Sequence, residues 1–130
     1  MPNPKFDWFV YVADAVSLAA SATATGSTTL QIAADAPFQV QFITVTILQS
    51  NVVVVNWGGT LTVNWSQEGR FLSNVAMPSH SLLLNGTAPY ELKPYRLIPA
   101  NSSIIISWAN SAAATATVCQ IAFHGNKVRA

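Results

Sequence analysis

Few side chains in this chain could carry chemistry: two histidines (His80 and His124), one cysteine (Cys119) and five carboxylates (Asp7, Asp14, Asp35, Glu68 and Glu91) in 130 residues. Nucleophilic catalysis needs a Ser or Cys within reach of a His that a third group orients. No Gly-x-Ser-x-Gly elbow or comparable local motif accompanies either histidine. A catalytic metal usually takes three protein ligands, and the histidines lie far apart in the sequence with no His-x-His between them. Glycoside hydrolysis needs two carboxylates facing each other across a cleft, whereas Glu68 and Glu91 fall in turn-like segments. His124 stands at the end of a strand-like run, where a surface or hydrogen-bonded role is the ordinary one. Cys119 lies inside the same run and reads as a small buried hydrophobe. The inventory points to a protein that is not an enzyme and that takes no cofactor or metal.

The tryptophans are the other candidates. Trp8, Trp65 and Trp108 fall in phase with apolar neighbours, which predicts core packing. Trp57 differs, because it flanks Gly58 and Gly59. An indole at the tip of a glycine turn can anchor a partner or stack on a sugar, or it can fold back over the end of the sheet.

The elements that must position these residues are strands. Apolar residues make up 51% of the chain and charged residues 8%, against about 25% charged in an ordinary soluble domain. The outer faces must therefore be clothed in Ser, Thr, Asn, Gln and Ala. With a formal net charge of +1, little electrostatic repulsion opposes self-association. The basic residues are scattered, apart from Lys127 and Arg129, so a phosphate-binding face for nucleic acid is not expected. No uninterrupted run of about 18 apolar residues predicts a membrane span. Asp7 and Asp14 argue against reading the apolar N-terminal stretch as a signal peptide. The three Asn-x-Ser/Thr triplets, at Asn64, Asn85 and Asn101, carry no weight in a chain so rich in these residues.

Along the chain, Pro2 and Pro4 predict an extended arm over residues 1–5. Residues 6–12 alternate, with Phe6, Trp8, Val10 and Val12 on one face and Asp7, Phe9 and Tyr11 on the other. A short strand or loop is expected near 16–20, a turn at Thr25-Gly26-Ser27, and a half-buried strand over 28–33. Residues 38–49 form the longest run, and its apolar phase flips between Phe42 and Ile43. Such a flip marks a bulge or a strand that passes between sheets. Gly58-Gly59 predicts a hairpin joining residues 52–56 to 60–65. Residues 71–77 could form a further strand, and prolines confine 90–97 to an edge. Two strands at 103–109 and 115–123, joined by a small polar turn, close the pattern. The expected fold is all-β: an antiparallel two-sheet β-sandwich, jelly-roll-like, of about eight strands. One domain spans 6–125, followed by a polar, basic tail at 126–130.

The segment Pro94-Tyr95-Arg96-Leu97-Ile98-Pro99-Ala100-Asn101-Ser102, the Ile-rich strand after it, Ala109-Asn110, and Ile121-Ala122-Phe123-His124-Gly125-Asn126-Lys127 together resemble small proteins of tailed bacteriophages. These are encoded in the head-gene region and are similar to capsid cement or decoration proteins. Phe6-Asp7-Trp8-Phe9-Val10-Tyr11, a Ser/Thr/Ala-rich stretch and Leu30-Gln31-Ile32-Ala33-Ala34-Asp35 resemble the opening of the same group, whereas residues 52–66 have no counterpart in it. The resemblance implies a jelly-roll-like protein on the outer surface of the virion's capsid. Often trimeric, it would clamp neighbouring capsomers of the major capsid protein, with no catalytic residue to carry over. Its expected contacts are Pro2, Pro4, Lys5, Trp57, Gly58, Gly59, Lys127 and Arg129. The alternative is a carbohydrate- or receptor-binding module of a phage tail or fibre, with Trp57 as the stacking platform.

Overall fold

A computed structural model of the chain describes residues 5–21, 23–53, 59–65, 70–71, 77–78, 90–110 and 116–129. Eleven strands occur among them: β1 (Lys5–Val12), β2 (Val16–Leu18), β3 (Thr25–Gln31), β4 (Phe38–Gln49), β5 (Val52–Val53), β6 (Thr60–Trp65), β7 (Arg70–Phe71), β8 (Met77–Pro78), β9 (Tyr90–Ile98), β10 (Ser103–Ala109) and β11 (Thr117–Arg129). They form two antiparallel sheets. A six-stranded sheet runs β1-β11-β4-β5, with β2 also on β11 and β9 also on β4; a five-stranded sheet runs β3-β10-β6-β7, with β8 also on β6.

Several short strands share a position. β1 and β2 lie end to end along β11, β9 and β5 along the far side of β4, and β7 and β8 along the far side of β6. Counted by position there are eight, four to a sheet, in the order first-eighth-third-sixth facing second-seventh-fourth-fifth. That is the strand order of a jelly roll, the architecture the alternating sequence predicts.

The core fills the space between the sheets. Phe38, Ile43, Ile47, Ile121 and Phe123 from one sheet meet Ile32, Leu61, Ile104, Ile106 and Trp108 from the other. β11 supplies an inward residue at every second position from Thr117 to Lys127, all of them buried. Three of the polar groups in the interior have clear partners. Thr117 Oγ1 accepts from Gln49 Nε2 at 3.2 Å, Asn110 Nδ2 donates to the Ala19 carbonyl at 2.8 Å, and the Tyr11 hydroxyl accepts from the Ala33 N–H at 3.1 Å.

The phase flip in the long run is a bulge. His124 pairs with Phe42 but Gly125 pairs with Val40, so Gln41 is the extra residue. Phe38 and Val40 point inward before it, and Ile43, Val45 and Ile47 after it. Phe42, expected on the inner face with Phe38 and Val40, turns out half-buried on the outer face. β4 stays in one sheet throughout. At the same place β9 is interrupted, Val40 pairing with Arg96 and Phe42 with Glu91.

Other expectations are corrected. Thr25-Gly26-Ser27 is not a turn but the start of β3, where Gly26 lies so close to Val16 and Leu18 that a Cβ would come within 2.6 Å of Val16 Cγ1. Of the hairpin expected at Gly58-Gly59, residues 54–58 lie outside the described residues; Val52 and Val53 pair with β4 in the six-stranded sheet, whereas β6 belongs to the other. The two-residue hairpin is at Ser50-Asn51, both with positive φ (51° and 61°), between β4 and β5. That conformation matches the right-handed twist of the flanking strands. β10 and β11 are not a hairpin either, since they lie in opposite sheets. Alternation shows that a segment is a strand with one inner face, but not which neighbour it pairs with.

Candidate interaction surface

The outer face of the six-stranded sheet follows from the register. Partners across a ladder point to the same side of a sheet, so one row reads Trp8-Asn126-Gln39-Leu97 and the next reads Val10-His124-Phe42-Glu91. Trp8, expected to pack in the core, faces out with the other residues of its row: Phe6 and Trp8 are each 57% exposed and Val12 53%. Both faces of β1 are apolar, and its inner face is instead chosen by Tyr11. Tyr11 aligns with Phe123 and Ile43 and meets the Phe38 ring edge-on at 4.8 Å. Trp8 is thus a surface residue and Trp108 a core residue, while the Trp65 side chain lies outside the described residues.

His124 sits in the middle of this face. Its Nε2 lies 2.9 Å from Thr44 Oγ1, and its ring is 6.5 Å from the Trp8 ring. Among the described residues the outer positions of β1, β4 and β11 carry no carboxylate, lysine or arginine, and His124 is their one titratable side chain. Three strands at about 4.8 Å spacing and about 25 Å length give a patch on the order of 400 Å².

An ion cluster borders the patch where β1 begins and β11 ends. Arg129 Nε reaches Asp7 at 2.7 Å and its NH2 reaches Asp35 at 2.9 Å; Lys127 Nζ lies 3.2 Å from Asp35 and 4.2 Å above the Phe9 ring. The Asp35 carboxyl is held below its ordinary value, first by the hydrogen bond from Lys127, then by the nearby charges of Lys127 and Arg129; partial desolvation opposes this. The basic tail expected at 126–130 is therefore corrected. Residues 126–129 are strand, and Lys127 and Arg129 are tied to carboxylates of the same chain.

The remaining expected contacts divide. Lys5 is exposed as the first residue of β1, opposite Arg129, rather than part of an arm. Gly59 is buried just before β6. Pro2, Pro4, Trp57 and Gly58 lie outside the described residues, as does His80. Comparison with protein-family models, with curated proteins and with solved structures gave no match.

The opposite face of the sandwich is chemically different. On the five-stranded sheet Ser27, Ser107 and Thr62 form one row, flanked by Thr25, Ala109 and Thr60. They line a shallow depression of about 520 Å³. Cys119 is enclosed between the sheets, and burial pushes its thiol up to about 12, so it stays protonated and unreactive at neutral pH. Among the described residues no three His, Cys, Asp or Glu side chains come together.

Proposed function

We propose that this chain is a non-enzymatic structural subunit that packs against copies of itself and against a larger protein lattice. The role is that of a cement or decoration protein on the outside of a phage head, holding capsomers of the major capsid protein together. The observation that supports it is the apolar stripe of β1 on the outer face of the six-stranded sheet, with Phe6, Trp8 and Val12 in solvent beside the uncharged polar side chains Gln39, Thr44, Gln120 and Asn126. Burying such a stripe against a partner is favourable by about 25 cal/mol per Å² of apolar surface, and no carboxylate, lysine or arginine in its β1, β4 and β11 rows has to be desolvated. The fold is suited to the task, since a rigid sandwich presents the patch on strands rather than loops.

The test is co-sedimentation with purified heads of the virus that encodes the chain, together with its detection in intact particles. Trp8→Glu should abolish co-sedimentation, and Thr29→Glu on the opposite sheet should leave it unchanged. A chain absent from particles and indifferent to heads would sink the proposal.

A second reading is favoured by the hydroxyl-lined depression. Ser27, Ser107, Thr60 and Thr62 offer donors and acceptors to a hydroxylated ligand such as a glycan. Glycan-array binding that Ser107→Leu removes and Trp8→Glu leaves intact selects this reading over the first.

A further inference from the structure

β1 is an edge strand whose second edge is unpaired among the described residues. The Ala13 N–H donates to the Ile121 carbonyl at 3.0 Å. In an antiparallel ladder hydrogen-bonded pairs alternate, so Tyr11, Phe9, Asp7 and Lys5 are the residues bonded to β11. The N–H and C=O groups of Phe6, Trp8, Val10 and Val12 therefore point to the open edge. These are the same residues whose side chains form the exposed stripe.

Natural sheets protect such edges with short strands, prolines, glycines, bulges or charges. The other edges here do so. β5, β7 and β8 have two residues each, β9 contains Pro94 and a broken register, and β3 contains Gly26 in a run of Ser and Thr. β1 has eight residues with no proline or glycine, and its charges, Lys5 and Asp7, sit at one end.

We infer that two copies of this chain pair edge to edge, β1 antiparallel to β1 about a two-fold axis. A two-fold perpendicular to the sheet keeps the outer face continuous and requires outward residues to meet outward residues. The register that uses all four open-edge residues is centred on Phe9. Phe6 then faces Val12 of the second copy, Trp8 faces its Val10, and Phe9 faces its own counterpart. Lys5 stands opposite Ala13 and Asp7 opposite Tyr11, so no like charges meet.

The contact is about 27 Å long and, with side chains on both faces, about 15 to 20 Å thick. It removes on the order of 1,000 Å² in total, the size of a weak, concentration-dependent contact rather than a permanent one. This deepens the assembly reading above, whose outer face the pairing extends, although the resemblance noted earlier implies trimers.

The experiment is molar mass against concentration for the intact chain and for Val10→Pro. That change removes an open-edge N–H and leaves the bonds to β11 in place. The intact chain should rise from 13.9 kDa toward twice that mass. Val10→Pro should stay at 13.9 kDa with an unchanged circular dichroism spectrum. Cysteine crosslinking decides the register even if Val10→Pro fails to fold. Facing residues of a non-hydrogen-bonded pair are within disulfide range, so Phe9→Cys should oxidise to a covalent dimer at least ten times faster than Trp8→Cys. Equal crosslinking, a monomeric intact chain, or a trimer that survives Val10→Pro overturns the pairing. A monomeric Val10→Pro that still co-sediments with heads supports the pairing and leaves the assembly reading standing. A dimer that ignores heads supports the pairing while that reading fails.

Discussion

Replacing Gly125 by alanine should be among the most damaging single-atom changes available to this chain. The added Cβ would lie 1.8 Å from the Gln39 carbonyl oxygen, 2.9 Å from the Gln39 carbonyl carbon and 3.2 Å from the Gln41 nitrogen. All three are backbone atoms of the bulge in β4, so no side-chain rotation relieves the clash. Restoring contact distance moves β4 away from β11 by about 1.5 Å, which stretches a hydrogen bond of about 2.9 Å beyond its working range. The pairs at risk are Gly125 with Val40, Asn126 with Gln39 and Lys127 with Phe38. Loss of about two backbone hydrogen bonds at about 1 kcal/mol each, with partial exposure of Phe38 and Val40 at about 1 kcal/mol each, gives about 4 kcal/mol. The lower flexibility of the unfolded alanine chain offsets about 0.5 kcal/mol of this. Against a typical total of about 5–15 kcal/mol, the loss is large. Urea titration followed by tryptophan fluorescence should show the midpoint falling by about 2 M at unchanged slope. Gly26→Ala is the control, because its nearest clash is a Val16 methyl that can move, and it should cost about 1–2 kcal/mol. A Gly125→Ala protein within about 1 kcal/mol of the parent would refute the claim that the bulge depends on this contact.

Three further outcomes follow from the same geometry. Asp35→Asn should destabilise the chain at neutral pH, where the carboxylate is bound by Lys127 and Arg129. Because the folded carboxyl titrates below 3.8, that advantage is complete above the ordinary carboxylate range and disappears as pH falls through the folded value; denaturant midpoints of the two proteins should converge in acid. Cys119 should resist a thiol reagent at pH 8 in the folded protein and react fully in denaturant, since it is buried with its thiol raised to about 12; fast labelling of the native chain would contradict its place in the core. Ser50→Asn combined with Asn51→Gly should raise stability by about 0.5–1 kcal/mol, because both positions have positive φ, which Asn and Gly adopt more readily; a thermal melt that does not move upward counts against the hairpin.

The class of the fold was legible because period-two alternation survives in β3, β4, β10 and β11, and because one phase flip cannot be threaded through a regular strand. Its pairing was not legible. Neighbours in the sequence, such as β10 and β11, carry the same alternation whether they join one sheet or face each other across the core. The interaction surface was hidden for a related reason. In β1 both faces are apolar, so the pattern alone could not say that Tyr11 and Phe9 turn inward while Trp8 faces water. That choice rests on the alignment of Tyr11 with Phe123 and Ile43, residues contributed from distant parts of the chain. The ion pairs of Lys127 and Arg129 are hidden for the same cause: Asp7 reaches Arg129 through the β1–β11 ladder, and Asp35 reaches both basic residues from the segment that leads into β4, whose Phe38 pairs with Lys127.

The strand order also bears on how the protein is made. β10 lies between β3 and β6, and β11 between β1 and β4, so the central members of both sheets are the last strands in chain order. A ribosome adding about 5–20 residues per second leaves β1 without its hydrogen-bonding partner for several seconds, with Phe6, Trp8 and Phe9 exposed. The five-stranded sheet cannot close until β10 has emerged, nor the six-stranded sheet until β11 has, and such long-range closure is intrinsically slow. Folding of these sheets thus waits for β10 and β11, and its yield should depend on temperature and on holdase chaperones more than that of a protein whose sheets assemble from neighbouring hairpins.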